Sequence, residues 1–330
     1  MFKYNLDTTK EITKAALIGQ AIGDAFGMPL EFLSRAQVRA IGLKDMVGKD
    51  TGVNFHSHWA SILPAGTWTD DTSMTVAAMD SIIRRGGINY NDIMQRFLDW
   101  QRNGLYSPVH YCFDIGGTTS EALHRYSQGI PAIECGPSGI RDNGNGALMR
   151  ILPFSLYCIY KGLGIGETVD LISEASGLTH RHAISKLGCV IFTVFLKMLL
   201  CSKSILSAWE YTRRIDYRLW FSVETIDAYA DLLSDDFIKH AEECIGETGY
   251  VVDALMTAVY SMLTGQDYES TILTAASMGF DTDTNAAITG ALAGAFYGID
   301  DIPDRWLSKL LDMEYLENIA SDFTDSIFNA

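Results

Sequence analysis

The chain has 330 residues, 48% hydrophobic and 20% charged, a globular proportion that excludes a disordered polypeptide. Its formal net charge of −16 works against nonspecific attraction to nucleic acid or an anionic membrane, so neither is expected as a partner. Six dispersed cysteines without a C-x-x-C pair read as free thiols in a reducing compartment, and Met1-Phe2-Lys3-Tyr4-Asn5-Leu6-Asp7 has no apolar signal core, so a cytoplasmic protein is expected.

Helical periodicity starts at Thr8-x-x-Glu11, a capping-box pattern ahead of Ile12, Ala15, Ala16, Ile18 and Gly19. It predicts helices over about 8–23, 72–85, 91–102, 118–128, 146–161, 167–176 and 181–201. It continues over about 204–213, 223–233, 235–244, 250–264, 269–278, 284–297 and 303–319. Alternating strand patterns are scarce and no linker, charge block or repeat divides the chain. An all-α fold is expected, with residues 1–330 as one domain. The apolar run from Leu187 to Leu196 is too short to span a bilayer before Lys197 interrupts it.

Two clusters more than two hundred residues apart carry the strongest chemical signal: Thr69-Asp70-Asp71 and Asp281-Thr282-Asp283-Thr284. Each precedes an apolar helical stretch, so helix capping is the ordinary alternative for either one. Each also holds more acidic groups than one cap can use, and adjacent unpaired carboxylates repel unless a cation neutralises them. The clusters offer only oxygen, with no His or Cys, which selects hard cations such as Mg²⁺, Mn²⁺ or Ca²⁺ over zinc. If the fold joins them, they form a site for two divalent metals.

The 29 glycines gather at two kinds of place. Gly290-Ala291-Leu292-Ala293-Gly294-Ala295 allows close helix packing, whereas the segment from Cys135 to Gly146 is an irregular loop. With a helix beginning at Ala147, the amides of Asn143, Gly144, Asn145 and Gly146 would face a helix N-terminus and cradle a phosphorylated ligand. His180 is a candidate contact to substrate or metal-bound water, or a structural hydrogen-bond partner; His182 is a similar contact or a surface residue, His56 and His58 flank the cleft or are plain loop residues, and Trp68 is read as core. Arg150 would meet a diphosphate or pair with an acidic neighbour.

The chain resembles the ADP-ribosylglycohydrolases, in the branch of the dinitrogenase reductase-activating glycohydrolase. The resemblance rests on Gly19-Gln20-Ala21-Ile22-Gly23-Asp24-Ala25-Phe26-Gly27, Pro29-Leu30-Glu31-Phe32 and Gly66-Thr67-Trp68-Thr69-Asp70-Asp71-Thr72-Ser73-Met74. It continues through Cys112-Phe113-Asp114-Ile115-Gly116, Asn143-Gly144-Asn145-Gly146-Ala147-Leu148-Met149-Arg150, Leu178-Thr179-His180 and Asp281-Thr282-Asp283-Thr284-Asn285-Ala286-Ala287. These motifs run in family order over most of the chain.

The resemblance implies a single-domain helical bundle with two Mg²⁺ or Mn²⁺ ions in a central cleft. The implied activity is hydrolysis of the bond between ADP-ribose and a modified protein side chain, most closely arginine. It implies Thr69, Asp70, Asp71, Asp281, Asp283 and Thr284 as metal ligands, Glu31 as a further acidic group near the metals, and Asp114 as the acid/base. For Asp114, lying outside the ligand clusters, the alternative is a cap on the helix opened by Thr118-x-x-Glu121; for Asp24 it is orientation of ligands against capping or a salt bridge. The sequence departs from the family pattern at Met278-Gly279-Phe280, where a small residue is usual ahead of the second metal motif.

The expected partners are an ADP-ribosylated protein and ADP-ribose itself. Two rivals stand beside this reading. One is a non-catalytic ADP-ribose-binding or structural protein that keeps the fold. The other is an all-α prenyl-diphosphate enzyme begun by Asp70-Asp71, which lacks a third Asp because position 74 is Met74.

Overall fold

The computed structural model describes residues 5–53 and 57–328, and every regular element among them is helical. The first helix, Leu6–Gly27, starts two residues earlier than the sequence pattern suggests. Asn5 is the cap, its side chain accepting from Thr8 N at 2.8 Å, so Thr8 lies inside the helix and does not cap it.

This helix organises the molecule through two of its faces. Gly19, Gly23 and Gly27 recur every fourth residue and lie against the helix Thr282–Tyr297, which runs antiparallel to it. A Cβ at those glycines would sit 2.4 Å from Gly290 O, 2.0 Å from Ala286 O and 2.2 Å from Thr282 O. Real side chains do not make such contacts, so the absence of side chains lets the two backbones touch. From the partner helix, a Cβ at Gly294 would lie 2.1 Å from Ala15 O. Small-residue packing at 290–295 is therefore as expected, while its partner stripe on the first helix is a finding of the structure.

A second face of the first helix grips the helix Asp70–Arg85. The buried Gln20 side-chain amide reaches Asp71 O at 3.1 Å, Thr75 Oγ1 at 2.8 Å and Met149 O at 2.9 Å. One buried amide thus ties together the first acidic segment and the stretch that follows the glycine-rich loop. Met313–Phe328 closes this side, packing on both the first helix and Asp70–Arg85. Elsewhere Ala183–Cys201 packs against Ile165–Gly177, Ile205–Arg213 and Val251–Thr264.

A hydrophobic core extends through these elements and buries Trp68, Trp100, Trp209 and Trp306 completely. All six cysteines are unpaired. Ala183–Cys201 exceeds the ten-residue apolar run read from sequence: it is 19 residues long with mean hydropathy 2.0, enough by length and composition to cross a membrane. Its apolar window is 72% buried within the fold, so those faces already have protein partners.

The expected helix over 146–161 is broken. Asn145–Ala147 is one turn of 3₁₀ helix, and the α-helix begins only at Leu152, with Pro153 in its first turn. Proline has no N–H to give to a preceding turn and suits a helix start. The expected 223–233 helix divides into Val223–Asp227 and Ala230–Leu233, and 303–319 divides into Asp304–Leu307 and Met313–Phe328. Arg35–Ile41 and His58–Ile62 are helices that the sequence pattern did not mark, both too short to show a period.

Candidate active site

The two faces of the first helix bring the two acidic clusters together. Thr69 and Asp281 stand immediately ahead of Asp70–Arg85 and Thr282–Tyr297, yet neither side chain caps its helix. For the first cluster, Asp24 caps from a distance. Its carboxylate accepts Thr69 N at 2.9 and 3.0 Å, Thr72 N at 3.1 Å and Thr72 Oγ1 at 2.6 Å. Capping is thus supplied across the fold, and the hydroxyl and carboxyl groups of 69–71 are available for other bonds. Of the alternatives open for Asp24 in the sequence, capping is the one these bonds make.

Asp71 Oδ2 accepts Thr69 Oγ1 at 3.3 Å and also Thr284 Oγ1 at 3.2 Å, so one carboxylate oxygen joins clusters 213 residues apart. Asn145 Nδ2 donates to Asp281 Oδ2 at 2.8 Å, which attaches the glycine-rich loop to the same place. Thr282 Oγ1 donates to Gly27 O at 2.7 Å, where the glycine seam ends. Four residues later, after the 3₁₀ turn Met28–Leu30, the chain presents Glu31.

Glu31, Asp114 and Asp283 offer carboxylate oxygens that all lie within 4.8 Å of one another. Asp114, outside both clusters in the sequence, therefore sits among the acidic groups in the fold. It also caps nothing: Gly116 precedes the helix Gly117–Ser127. Three residues here hold left-handed backbone that non-glycine residues rarely adopt: Phe32 (φ 63°), Asp114 (φ 54°) and Phe280 (φ 61°).

The backbone bonds Phe32 N to Phe280 O at 2.6 Å and Phe280 N to Leu33 O at 2.7 Å lock the Glu31 segment to the approach to Asp281. The unusual Phe280 thus has a partner: its ring meets that of Phe32 edge-on at 5.9 Å. Phe32 itself is 66% exposed at the cleft.

Burial, then mutual repulsion, raises the pKa of the acidic groups. Asp70, Asp71 and Asp283 are pushed well above the ordinary carboxylate range, first by burial and then by neighbouring carboxylates. Burial with Asp114 and Asp281 nearby takes Glu31 to about 9, and burial takes Asp114 to about 6. Burial also takes Asp24 to about 7, against the pull of its four hydrogen bonds, and raises Asp281.

The donor set fits a hard divalent cation. Asp71 Oδ1 and Glu31 Oε2 are buried without a hydrogen-bond partner, and the charges acting most strongly on Asp70 are other carboxylates. Orphaned buried anions beside threonine hydroxyls are what a cation would satisfy. Asp70, Asp71, Asp281 and Asp283, with Glu31 and the hydroxyls of Thr69 and Thr284, would hold it.

These groups form one side of a cleft of about 310 Å³. Glu31, Asp70, Asp114, Asp281, Asp283 and Thr284 line it, whereas Thr69 and Asp71 are buried beneath. Gly144, Asn145, Gly146 and His180 line it too. Asn143 does not: its side chain donates to Ile140 O at 3.1 Å and accepts from Ser185 Oγ at 3.0 Å, which makes it a brace for the loop. Nor does the loop lead into an α-helix. Asn145 N bonds to Gly249 O, so the amide-lined helix start expected for phosphate is absent there.

Thr119 and Gly249 also line the cleft and carry no signal in the sequence, whereas Phe32 and Ile115, which line it too, stand in the motifs of Glu31 and Asp114. Arg150 does not line the cleft and pairs with no acid among the described residues. It is fully buried, donating Nη2 to Thr179 Oγ1 at 2.6 Å and Ala175 O at 3.1 Å, with its guanidinium over the Phe97 ring. His182 caps Ala183–Cys201, accepting from Ile184 N at 3.2 Å, and His58 opens the helix His58–Ile62. His56 lies outside the described residues.

A family model described as ADP-ribosylglycohydrolase matches residues 5–329. The chain is 33% identical over 310 residues to the ADP-ribosylarginine hydrolase Tri1 of Serratia proteamaculans (strain 568), covering 93% of this chain and 77% of that protein. It is 29% identical over 300 residues to the ADP-ribosyl-[dinitrogen reductase] glycohydrolase of Rhodospirillum rubrum, covering 89% and 88%. A solved structure described as an ADP-ribosylglycohydrolase-related protein complex shares the fold with a TM-score of 0.71 at 24% identity, over 97% of this chain and 99% of its own.

Proposed function

The chain belongs to the ADP-ribosylglycohydrolase family of hydrolytic enzymes, and from that premise we propose that it removes ADP-ribose from mono-ADP-ribosylated arginine side chains, using two Mg²⁺ or Mn²⁺ ions. The prenyl-diphosphate reading falls with the family assignment. One observation carries the proposal: the Thr284–Asp71 hydrogen bond, which makes a single oxygen-rich site of two distant motifs at the floor of an open cleft. Arginine is favoured because the Serratia relative bears that linkage in its name.

The reaction breaks the bond from the ribose anomeric carbon to the guanidine nitrogen; water supplies the new C–O bond, one proton goes to the departing nitrogen, and positive charge develops on the sugar. Divalent cations bound in the acidic cluster would supply Lewis acidity and a template for neighbouring sugar hydroxyls. The chain's own groups do the rest. Gly144, Asn145 and Gly146 shape the wall where backbone approaches the ligand, with Asn145 fixed through Asp281.

Asp114, its carboxylate within 4.8 Å of those of Glu31 and Asp283 and its pKa raised by burial to about 6, is the group able to take a proton from the attacking water and pass it on. The many carboxylates also favour a cationic leaving group over a neutral one.

The test is a panel of chemically defined mono-ADP-ribosylated peptides linked through arginine or serine, assayed with Mg²⁺ or Mn²⁺ and with chelator. ADP-ribose should be released from the arginine conjugate, and release should be abolished by chelation and in Asp281→Asn. Full activity without metal, or serine conjugates hydrolysed in preference, would overturn it.

A further inference from the structure

Arg150 is the largest charged side chain buried in the molecule, and the chemistry proposed above makes no use of it. It is 0% exposed, its Nε and Nη1 have no acceptor, and no carboxylate pairs with it among the described residues. A buried guanidinium with only neutral partners is costly. Its one strong contact, from Nη2 to Thr179 Oγ1 at 2.6 Å, points along a line that ends in the cleft.

The next member is His180. Thr179 Oγ1 and His180 Nδ1 lie 3.0 Å apart. Thr179 is fully buried and its hydroxyl carries a single proton. Arg150 can only donate, so it occupies a lone pair of Thr179 Oγ1 and leaves the hydroxyl proton to find an acceptor. Among the described residues His180 Nδ1 is the one within reach. If Nδ1 carried a proton instead, the buried Thr179 hydroxyl proton would have no acceptor, and an unpaired buried donor is unfavourable. The ring proton therefore belongs on Nε2.

The backbone that carries the ring is fixed. His180 N donates to Ser176 O at 2.9 Å and Ser176 Oγ donates to His180 O at 3.0 Å, which pins its backbone on both sides. Its ring fills the space over the glycine-rich loop. A Cβ at Gly146 would lie 2.9 Å from His180 Cε1, and one at Gly144 would lie 3.4 Å from Nε2. With Nδ1 engaged by Thr179, Nε2 is the ring nitrogen left to the cleft that His180 lines. Burial and the nearby Arg150 charge hold the ring neutral, its pKa lowered to about 3, in keeping with a single fixed donor.

We infer that Arg150 and Thr179 are positioning residues that hold His180 in its Nε2–H tautomer, so that this N–H donates to an oxygen of ADP-ribose bound in the cleft. The last clause rests on the function proposed above; the tautomer does not. A neutral N–H donor recognises an acceptor oxygen without contributing charge to a site already crowded with carboxylates.

Long-range ¹⁵N–¹H NMR of the full-length enzyme, labelled in histidine and assigned with a His180→Gln variant, reads the tautomer directly. The expected result is Nε2–H in the wild type and in Thr179→Ser, and a mixture or Nδ1–H in Thr179→Val. ADP-ribose affinity, measured by calorimetry with Mg²⁺, should fall about tenfold in Thr179→Val and return close to wild type in Thr179→Ser.

Nδ1–H in the wild type, or a folded Thr179→Val that keeps both tautomer and affinity, would overturn the inference. If no conjugate in the panel is hydrolysed while the tautomer is Nε2–H, the proposed function fails and the positioning relay stands. If hydrolysis is found with Nδ1–H, the relay alone fails.

Discussion

Asp24 shows how one side chain can decide what others are free to do. By capping Asp70–Arg85 from another helix, it releases Thr69 from capping and leaves the motif to bind something else. Asp24→Asn replaces one acceptor oxygen with an amide donor facing Thr69 N or Thr72 N, so two donors would confront each other. The expected outcome is metal affinity weaker by about 10–100-fold in a folded protein, read by Mn²⁺ titration. Unchanged affinity would show that Asp24 does not orient the ligands.

The ligand-type residues at 69–71 and 281–284 were legible in sequence because each cluster concentrates more oxygen than its helix start requires. Roles that depend on a remote partner were not. Asp24 reaches Thr69 across 45 positions and Arg150 reaches Thr179 across 29, so neither contact leaves a local pattern. Asn143 misled for the opposite reason, since an asparagine beside glycine in a loop reads the same whether it faces a ligand or braces the turn, as it does here through Ser185.

At the scale of elements, the site exists because two helices approach without side chains between them. Gly23→Ala would place a methyl 2.0 Å from Ala286 O, which must push the helices apart. It should lower stability by about 1–3 kcal/mol in urea unfolding and weaken metal binding as well, since the seam sets where Asp283 stands relative to Glu31. Gly166→Ala is the matching control: it lies in the helix Ile165–Gly177 with nothing within 4 Å of the added carbon, so it should stabilise by about 0.5–1 kcal/mol.

Helix existence was legible almost throughout, because apolar residues at helical spacing record burial directly. Boundaries were not, where one residue overrides the period. Pro153 postpones a helix expected at 146, and Asn5 takes the cap from Thr8. The antiparallel seam needed the fold, because three glycines spaced by four say only that something comes close and not which helix does.

For the whole molecule, the decisive quantity is the charge gathered in one place. The pKa of Asp24 is raised from 3.8 to about 7 and that of Glu31 from 4.5 to about 9. Each raised group favours folding fully below its unfolded value, and that contribution is lost as pH rises through the folded value. The metal-free protein should therefore lose stability steadily between about pH 4 and pH 9, while the Mg²⁺-loaded protein changes less, so that the gain in Tm on adding metal grows with pH. Thermal unfolding across that window, with chelator and with Mg²⁺, measures the difference directly; a constant gain would mean that the acidic cluster is not where the metal binds.

If residues near 70 and near 282 form one cation site, anomalous scattering from crystals soaked in Mn²⁺ will show peaks among Asp70, Asp71, Asp281 and Asp283 that are lost in an Asp71→Asn, Asp283→Asn double variant. Peaks confined to other surfaces, or none at saturating metal, would mean that the two motifs share no cation.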